Sequence, residues 1–416
     1  MQRLWKPCGQ KRVAAPNAYG GIDMYKIQTL DRISAVGLEK FPRDAYEIAS
    51  EIVKPDAILV RSHDMLSMQL DTSVKAIARA GAGVNNIPVK DLAQKGVVVF
   101  NTPGANANAV KELVILGILL ASRPAVAANK WVETLKGKGS EIPELAEKGK
   151  KNFIGQEVKG KTLGVIGLGA IGAMVANTAV ELGMNVIGYD PFLSIDAAWS
   201  LNREIKHAET LDLLFTKSDY ITVHVPETPD TKGFINAATL KSMKDGVRII
   251  NIARGGLVNN KDILTAIASG KVGALVTDFA AEELLGNEKI ICLPHLGAST
   301  PEAEDNCAVM AVKELRDFLE RGNILNSVNF PRCKMDTPIP AGGTRLCISN
   351  KNVAGVISKF TSVLGNAKLN IAGMTNQNRN DLAYNLIDVD GKVDTATIQS
   401  LGQIEGVINV RPIFVE

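Results

Sequence analysis

Histidine is scarce in this chain of 416 residues, with four in all, and aromatic residues make up only 5%. The five cysteines, Cys8, Cys292, Cys307, Cys333 and Cys347, form no C-x-x-C pair. Neither a disulfide framework nor a metal site is therefore expected, and reduced thiols in the cytoplasm are the simplest reading. No apolar run reaches the roughly 18 residues of a membrane span, so no membrane partner is expected. Charge of one sign is also lacking. The formal net charge of +3 is too small for the concentrated basic surface of a nucleic-acid binder. Residues 1–23 stand apart. Arg3, Lys6, Lys11 and Arg12 occur before the first acid, with no apolar stretch of the kind a secretory signal needs. We read them as a disordered extension or an upstream start before Met24, with an organelle transit peptide as the alternative.

The length implies two or three domains. From Tyr25, "YKIQTL", "DAILVRS" and "GVVVF" have the composition of strands, Ser73–Ala80 ("SVKAIARA") that of a helix, and Asn106–Arg123 that of a long apolar helix. Lys136–Lys151, rich in Lys, Gly and Glu, reads as a solvated loop. A second run of strands, "LGVIG", "NVIGYD", "YITVHV", "VRIINI", "GALVTD" and "IICLP", alternates with helical segments. Such alternation predicts parallel α/β sheets. After a Pro- and Gly-containing linker, the last segments read β-α-β-β-α-β, a ferredoxin-like order. The expected architecture is two Rossmann-like doubly wound domains plus a C-terminal α+β domain. The expected limits are 24–123 with 300–330 for the first, 124–299 for the second, 331–342 for the linker, taken as a hinge, and 343–416 for the last.

In "LGVIGLGAIG", Gly167, Gly169 and Gly172 stand in G-x-G-x-x-G order between a strand and a helix. That context indicates a dinucleotide pyrophosphate held at a helix N-terminus. Asp190, at the end of the next strand, suits the ribose hydroxyls and repels a 2′-phosphate, which favours NAD over NADP. Ligands of open α/β sheets bind beyond the carboxyl ends of the strands. Arg254, Glu282 or Glu283, and His295 follow three successive strands. His suits removal of a hydroxyl proton near neutral pH, a carboxylate can orient the imidazole, and Arg can hold a substrate carboxylate and polarise the reacting oxygen. His224 follows another strand and is a candidate for the cofactor edge.

The motifs "GLGAIG", "HVPETPDTKGFIN", "NIARGGLV" and "PHLGAST" together resemble the D-isomer-specific 2-hydroxyacid dehydrogenases, from Tyr25 to about Asn329. The resemblance implies a catalytic set of Arg254, Glu283 and His295. It adds Ala170, Ile171, Val225, Pro226, Thr231, Ile252, Ala253 and Gly297 to the NAD site and assigns Asp278 to the nicotinamide carboxamide. The middle motif, "DFAAEEL", departs from the family's D-V-F-x-x-E-P, which leaves Glu282 and Glu283 as alternatives. "LVRSHDM" and "IARAGAGVNNI" resemble the substrate loops of family members that act on 3-phosphoglycerate. This implies Arg61 and Arg79 on the phosphate and Ala82, Gly83, Val84 and Asn85 facing the carboxylate. The implied activity is NAD-dependent oxidation of 3-phosphoglycerate at the head of serine synthesis. A dehydrogenase of glycerate, lactate or 2-oxoglutarate and a non-catalytic NAD(H) sensor are the alternatives. "ISNKNVAGV" and "KLNIAGM" resemble ACT regulatory domains, which implies an amino-acid effector such as L-serine at Asn350, Asn352 and Asn370 and a homodimer or homotetramer.

Overall fold

The computed structural model describes residues 24–415, so the expectation for residues 1–23 lies outside the described residues. The described chain forms two compact units. One contains the residues up to Ala105 and those from Glu304 onward, and the other is Asn106–Ala303.

The first unit opens with strands β1 (Tyr25–Leu30), β2 (Tyr46–Ala49), β3 (Ala57–Val60), β4 (Ala76–Arg79) and β5 (Val98–Phe100), in the order β2-β1-β3-β4-β5. All four pairings are parallel. Both faces of β3 are buried, as its unbroken run "AILV" requires. The segment expected as a helix at Ser73–Ala80 contains strand β4. Alanine favours helices, but here Ala76 and Ala78 pair with Ala57 and Leu59 on one side and with Val98 and Phe100 on the other. Central pairing outweighs a propensity of a few tenths of a kcal/mol per residue. Arg79 thus ends a strand, directly across from Val60.

The long helix Pro301–Arg321 returns to this unit, and its buried Ala311, Val312, Leu315 and Leu319 share a core with Ile27, Leu59 and Phe100. Strands β13 (Thr344–Lys351), β14 (Ile371–Arg379), β15 (Leu382–Val389) and β16 (Val407–Phe414) follow, in the antiparallel order β14-β15-β13-β16. With the helices Val356–Asn366 and Thr395–Gly402 they complete the expected ferredoxin-like module. One face of its sheet joins the core just described, through Cys347, Tyr384, Leu386 and Ile413. The linker is not a loose hinge. Cys333 is buried in that core, and the Arg345 guanidinium, in a bidentate pair with Asp388, also donates to the carbonyls of Arg321, Met335 and Thr337.

The second unit carries strands β6 (Thr162–Ile166), β7 (Asn185–Tyr189), β8 (Lys206–His207), β9 (Tyr220–Val223), β10 (Val247–Asn251), β11 (Val272–Thr277) and β12 (Ile290–Cys292). They form one parallel sheet in the order β12-β11-β10-β9-β6-β7-β8, the doubly wound arrangement. The helix Ala107–Ser122 packs on this sheet. Gly117 faces Ile250 and Val276, and the Ser122 hydroxyl lies 2.7 Å from that of Tyr220. The division between units therefore falls before this helix rather than after it. The expected loop at 136–151 contains the helix Ile142–Gly149, started by a proline in its first turn and carrying a Glu144–Lys148 pair. The Trp131 ring against Gly149 holds it in place.

Candidate active site

Gly167 follows β6 with φ of 87°, a conformation that favours glycine. Gly169 precedes the helix Ala170–Glu181, and no side chain caps that end. A Cβ on Gly169 would meet no protein atom within 4 Å, whereas one on Gly172 would stand 1.9 Å from the Gly167 carbonyl oxygen. The turn is thus closed from behind and open in front, with free N–H groups at the helix start, a cradle that fits a pyrophosphate. Ala170 and Ile171 are in the helix's first turn. The two carboxylate oxygens of Asp190 accept from the backbone N–H groups of Leu168 (2.8 Å) and Phe192 (2.9 Å). The carboxylate is thereby fixed beside the turn, and each oxygen keeps a lone pair for a ribose hydroxyl.

His224 lies under the same turn, with Nε2 3.0 Å from the Thr222 hydroxyl and Nδ1 buried without a partner. Burial pulls its pKa down to about 4, so the imidazole is neutral at neutral pH. Val225 and Pro226 lead into a loop that the Thr231 hydroxyl ties together, donating to the Pro226 carbonyl at 2.6 Å. Ile252 and Ala253 lead out of β10, and Ile252 is buried. After β11, Asp278 is 1% exposed; its Oδ2 accepts from the Gly297 N–H at 3.0 Å, while Oδ1 is buried and unpartnered. Burial pushes this carboxyl up, against the Gly297 hydrogen bond and the nearby His295. A buried acceptor without a donor is what a carboxamide N–H would satisfy. Cradle, ribose acceptor and orphaned oxygen all fit NAD.

Arg254, Glu283 and His295 follow the adjacent strands β10, β11 and β12 and are exposed. Arg254 Nη1 donates to the Ala253 carbonyl at 2.6 Å, and the Asn251 amide donates to the Arg254 carbonyl at 2.9 Å. Glu227 accepts from the Gly256 N–H at 3.2 Å and so anchors the turn after Arg254. The sequence gives no sign of that contact. The His295 ring rests against Phe279, with centroids 5.0 Å apart. Glu283 accepts from the Asn260 amide at 2.8 Å, which holds its carboxyl below the usual range. Among the described residues no hydrogen bond joins His295 to Glu282 or Glu283.

In the first unit, Arg61 follows β3 and Arg79 ends β4. They meet directly, because Arg79 Nε donates to the Arg61 carbonyl at 3.0 Å. The Arg79 guanidinium also covers Gly81, where a Cβ would stand 2.3 Å from its Nη1. Arg61 Nη2 lies 2.7 Å from the Glu304 carboxylate. The backbone N–H groups of Arg61, Ser62 and His63 all donate to Asp31 Oδ2, at 3.0, 2.8 and 2.8 Å. Burial pushes the Asp31 carboxyl up, but these bonds outweigh it and hold it low. The backbone of this loop is therefore taken by an internal anion, and only its side chains are left for a ligand. Ala82, Gly83, Val84 and Asn85 form the next loop; the Asn101 amide donates to the Ala82 carbonyl at 2.6 Å.

The three effector candidates are not brought together around a common space. Asn350 is buried; its Oδ1 accepts from Asn385 and its Nδ2 donates to the Lys351 carbonyl, both at 2.7 Å. Asn352 donates to the Asn380 carbonyl, and Asn370 to Asp390. Asn376 extends the buried chain by donating to Asn385 at 2.7 Å.

Residues 116–297 match the model of the D-isomer specific 2-hydroxyacid dehydrogenase, NAD binding domain. The chain is 36% identical to the hydroxypyruvate reductase of Thermotoga maritima over 66% of its own length and 88% of that protein's. It belongs to the D-isomer-specific 2-hydroxyacid dehydrogenase family. The second unit therefore holds the NAD-binding domain of this family. The chain spans 55% of the length of the Synechocystis sp. D-3-phosphoglycerate dehydrogenase, which it matches at 38% identity over 74% of its own. It spans 96% of the Haemophilus influenzae D-3-phosphoglycerate dehydrogenase, at 29% identity over 95% of its own length. A crystal structure of an NAD+-bound 3-phosphoglycerate dehydrogenase from Entamoeba histolytica is similar with a TM-score of 0.57 at 25% identity, covering 74% of this chain and 99% of that one. Among the described residues, no helix is long and apolar enough to cross a membrane.

Proposed function

We propose that this protein oxidises 3-phosphoglycerate at C2 to 3-phosphohydroxypyruvate, opening serine synthesis. The observation that carries the substrate assignment is the placement of Arg61 after β3 and Arg79 at the end of the neighbouring β4, linked by the bond from Arg79 Nε to the Arg61 carbonyl, since two arginines at adjacent strand ends suit a dianionic phosphate. Bound NAD supplies the hydride acceptor. His295 takes the proton of the C2 hydroxyl on a ring nitrogen, and exposure of the ring leaves that nitrogen accessible. Arg254, largely uncommitted beyond its bond to Ala253, holds the substrate carboxylate and polarises the C2 oxygen. Glu283 exchanges Asn260 for His295 as the imidazolium forms, because opposite charge strengthens a hydrogen bond.

The C-terminal module acts as an ACT domain that takes L-serine as effector, and the protein works as a homodimer or homotetramer. The Arg61–Glu304 pair, which already neutralises one phosphate arginine, favours as a second reading an unphosphorylated substrate such as glycerate. Following NAD reduction at 340 nm with 3-phosphoglycerate, glycerate and lactate as separate substrates decides between the two. The first reading expects 3-phosphoglycerate to have the highest kcat/KM, and a preference for glycerate overturns it.

A further inference from the structure

The long helix Pro301–Arg321 carries a buried carboxyl group that the chemistry above does not use. Glu314 is 5% exposed, and its Oε2 is buried without a partner. Its Oε1 accepts from the Asn326 side-chain amide at 2.5 Å. The backbone carbonyl of Asn326 accepts from the Asn101 N–H at 3.3 Å. The Asn101 side chain in turn donates to the Ala82 carbonyl, and the next residue, Thr102, donates its N–H to the Gly81 carbonyl at 3.1 Å. A continuous set of hydrogen bonds thus runs from an interior carboxyl group to the start of the Ala82–Asn85 loop.

The two protonation states of Glu314 do not support this set equally. As the neutral acid, Glu314 accepts from Asn326 through its carbonyl oxygen and leaves only a hydroxyl unpaired. As the carboxylate, it is a buried charge with one oxygen lacking any donor, which is far more costly and drives rearrangement or water entry. Burial pushes its pKa up to about 8, against the Asn326 amide, which favours the charged form. Among the described residues no charged or titratable group on a neighbouring element acts on it; burial and that amide are the two influences.

We propose that Glu314 is a proton-linked positioning residue, whose neutral form lets Asn326 and Asn101 hold the Ala82–Asn85 loop for the substrate carboxylate and whose ionisation loosens that loop. The proposal rests on the reading of Ala82–Asn85 as the carboxylate loop, but the state of the loop is measurable without substrate.

The test compares wild type, Glu314→Gln and Asn326→Ala between about pH 6 and about pH 9.5, spanning the ionisation. In the wild type, KM for the hydroxy acid should rise about 3- to 10-fold from about pH 7 to about pH 9 while KM for NAD holds within about 2-fold. Glu314→Gln, neutral throughout, should lack that rise, and Asn326→Ala should show a raised KM for the hydroxy acid at every pH. Hydrogen exchange of the Gly81–Asn85 amides, corrected for intrinsic rate, should show the loop opening more readily at high pH in wild type but not in Glu314→Gln. If no hydroxy acid is turned over, the functional reading fails, and the exchange experiment still decides this one. Equal pH dependence of exchange in wild type and Glu314→Gln overturns the proposal. Should Glu314→Gln not fold, wild-type exchange in Asn326→Ala overturns it equally.

Discussion

His295 and Glu283 are an unjoined pair here, with the acid bonded to Asn260 and the imidazole tilted against the Phe279 ring. If the proton acceptor is His295, His295→Gln should cut kcat by at least about 100-fold, the usual scale for a general base. NAD affinity, read by fluorescence titration, should stay within about 2-fold of wild type, since the glutamine leaves the cradle untouched. Undiminished turnover would remove His295 from the chemistry. The phosphate arginines need a comparison of energies. The Arg61–Glu304 pair is part-exposed on both sides, with side chains 36% and 43% accessible. Such pairs are worth about 0–1 kcal/mol, whereas a charge-assisted bond to a phosphate is worth about 1.5–3 kcal/mol. The phosphate should therefore displace Glu304. Arg61→Ala should raise KM for 3-phosphoglycerate by roughly 10-fold or more and leave that for an unphosphorylated hydroxy acid nearly unchanged. Glu304→Gln should lower KM for the phosphorylated substrate. Equal effects of Arg61→Ala on both substrates would show that Arg61 does not read the phosphate.

At the scale of elements, the glycine turn separates two roles that a sequence motif runs together. A Cβ on Gly172 would stand 1.9 Å from the Gly167 carbonyl oxygen, whereas one on Gly169 would enter open space. Gly172→Ala should therefore lower both the melting temperature and NAD affinity, because the helix must shift. Gly169→Ala should leave melting nearly unchanged and weaken NAD alone, since its new methyl group meets only the ligand. Thermal melts with NAD titrations check both, and a destabilised Gly169→Ala would mean that the turn is not open as described. This region was legible in the sequence because strand, turn and helix are local, with the motif setting their spacing. The strands following "LGVIG" and the β-α-β-β-α-β order of the C-terminal module were legible for the same reason. Strand β4 was not, because alanine carries no strand signal and its place between β3 and β5 is a tertiary fact. Nor was the Asp31 contact with Arg61, Ser62 and His63, or the Glu314–Asn326–Asn101 chain, which joins residues far apart in sequence. Asn350 stands in the ACT-like motif, yet its amide is committed to Asn385 and Lys351 inside the sheet.

For the molecule as a whole, the ferredoxin-like module is built into the core of the first unit rather than tethered to it. Arg411 donates to the carbonyls of Phe318 and Leu319 at 2.6 and 3.0 Å and stacks on the Phe318 ring at 4.5 Å. Tyr384 donates to the Gly322 carbonyl at 2.8 Å, and Arg345 to that of Arg321 at 3.1 Å. Cations and donors at the last carbonyls of the long helix Pro301–Arg321 are where the helix dipole favours them. Removing the module by truncation at Pro338 would free those carbonyls and uncover Phe318, Leu319, Phe330 and Cys333, each at most 4% exposed in the intact chain. Burial of a large apolar side chain contributes about 1.5–3 kcal/mol, so the loss is several kcal/mol even before the hydrogen bonds are counted. The truncated chain should melt at least about 10 °C lower than the intact one or aggregate, by the usual 2–4 °C per kcal/mol for domains of this size. A hinge-like linker predicts the opposite, a truncated protein that melts as the intact one does. Any L-serine effect is better sought in the full chain, by comparing wild type with Asn352→Ala and Asn370→Ala. Among the described residues those two side-chain amides bond only to the Asn380 carbonyl and to Asp390, so replacing them disturbs the core less than replacing Asn350. Inhibition by serine that both variants retain in full would place the effector elsewhere.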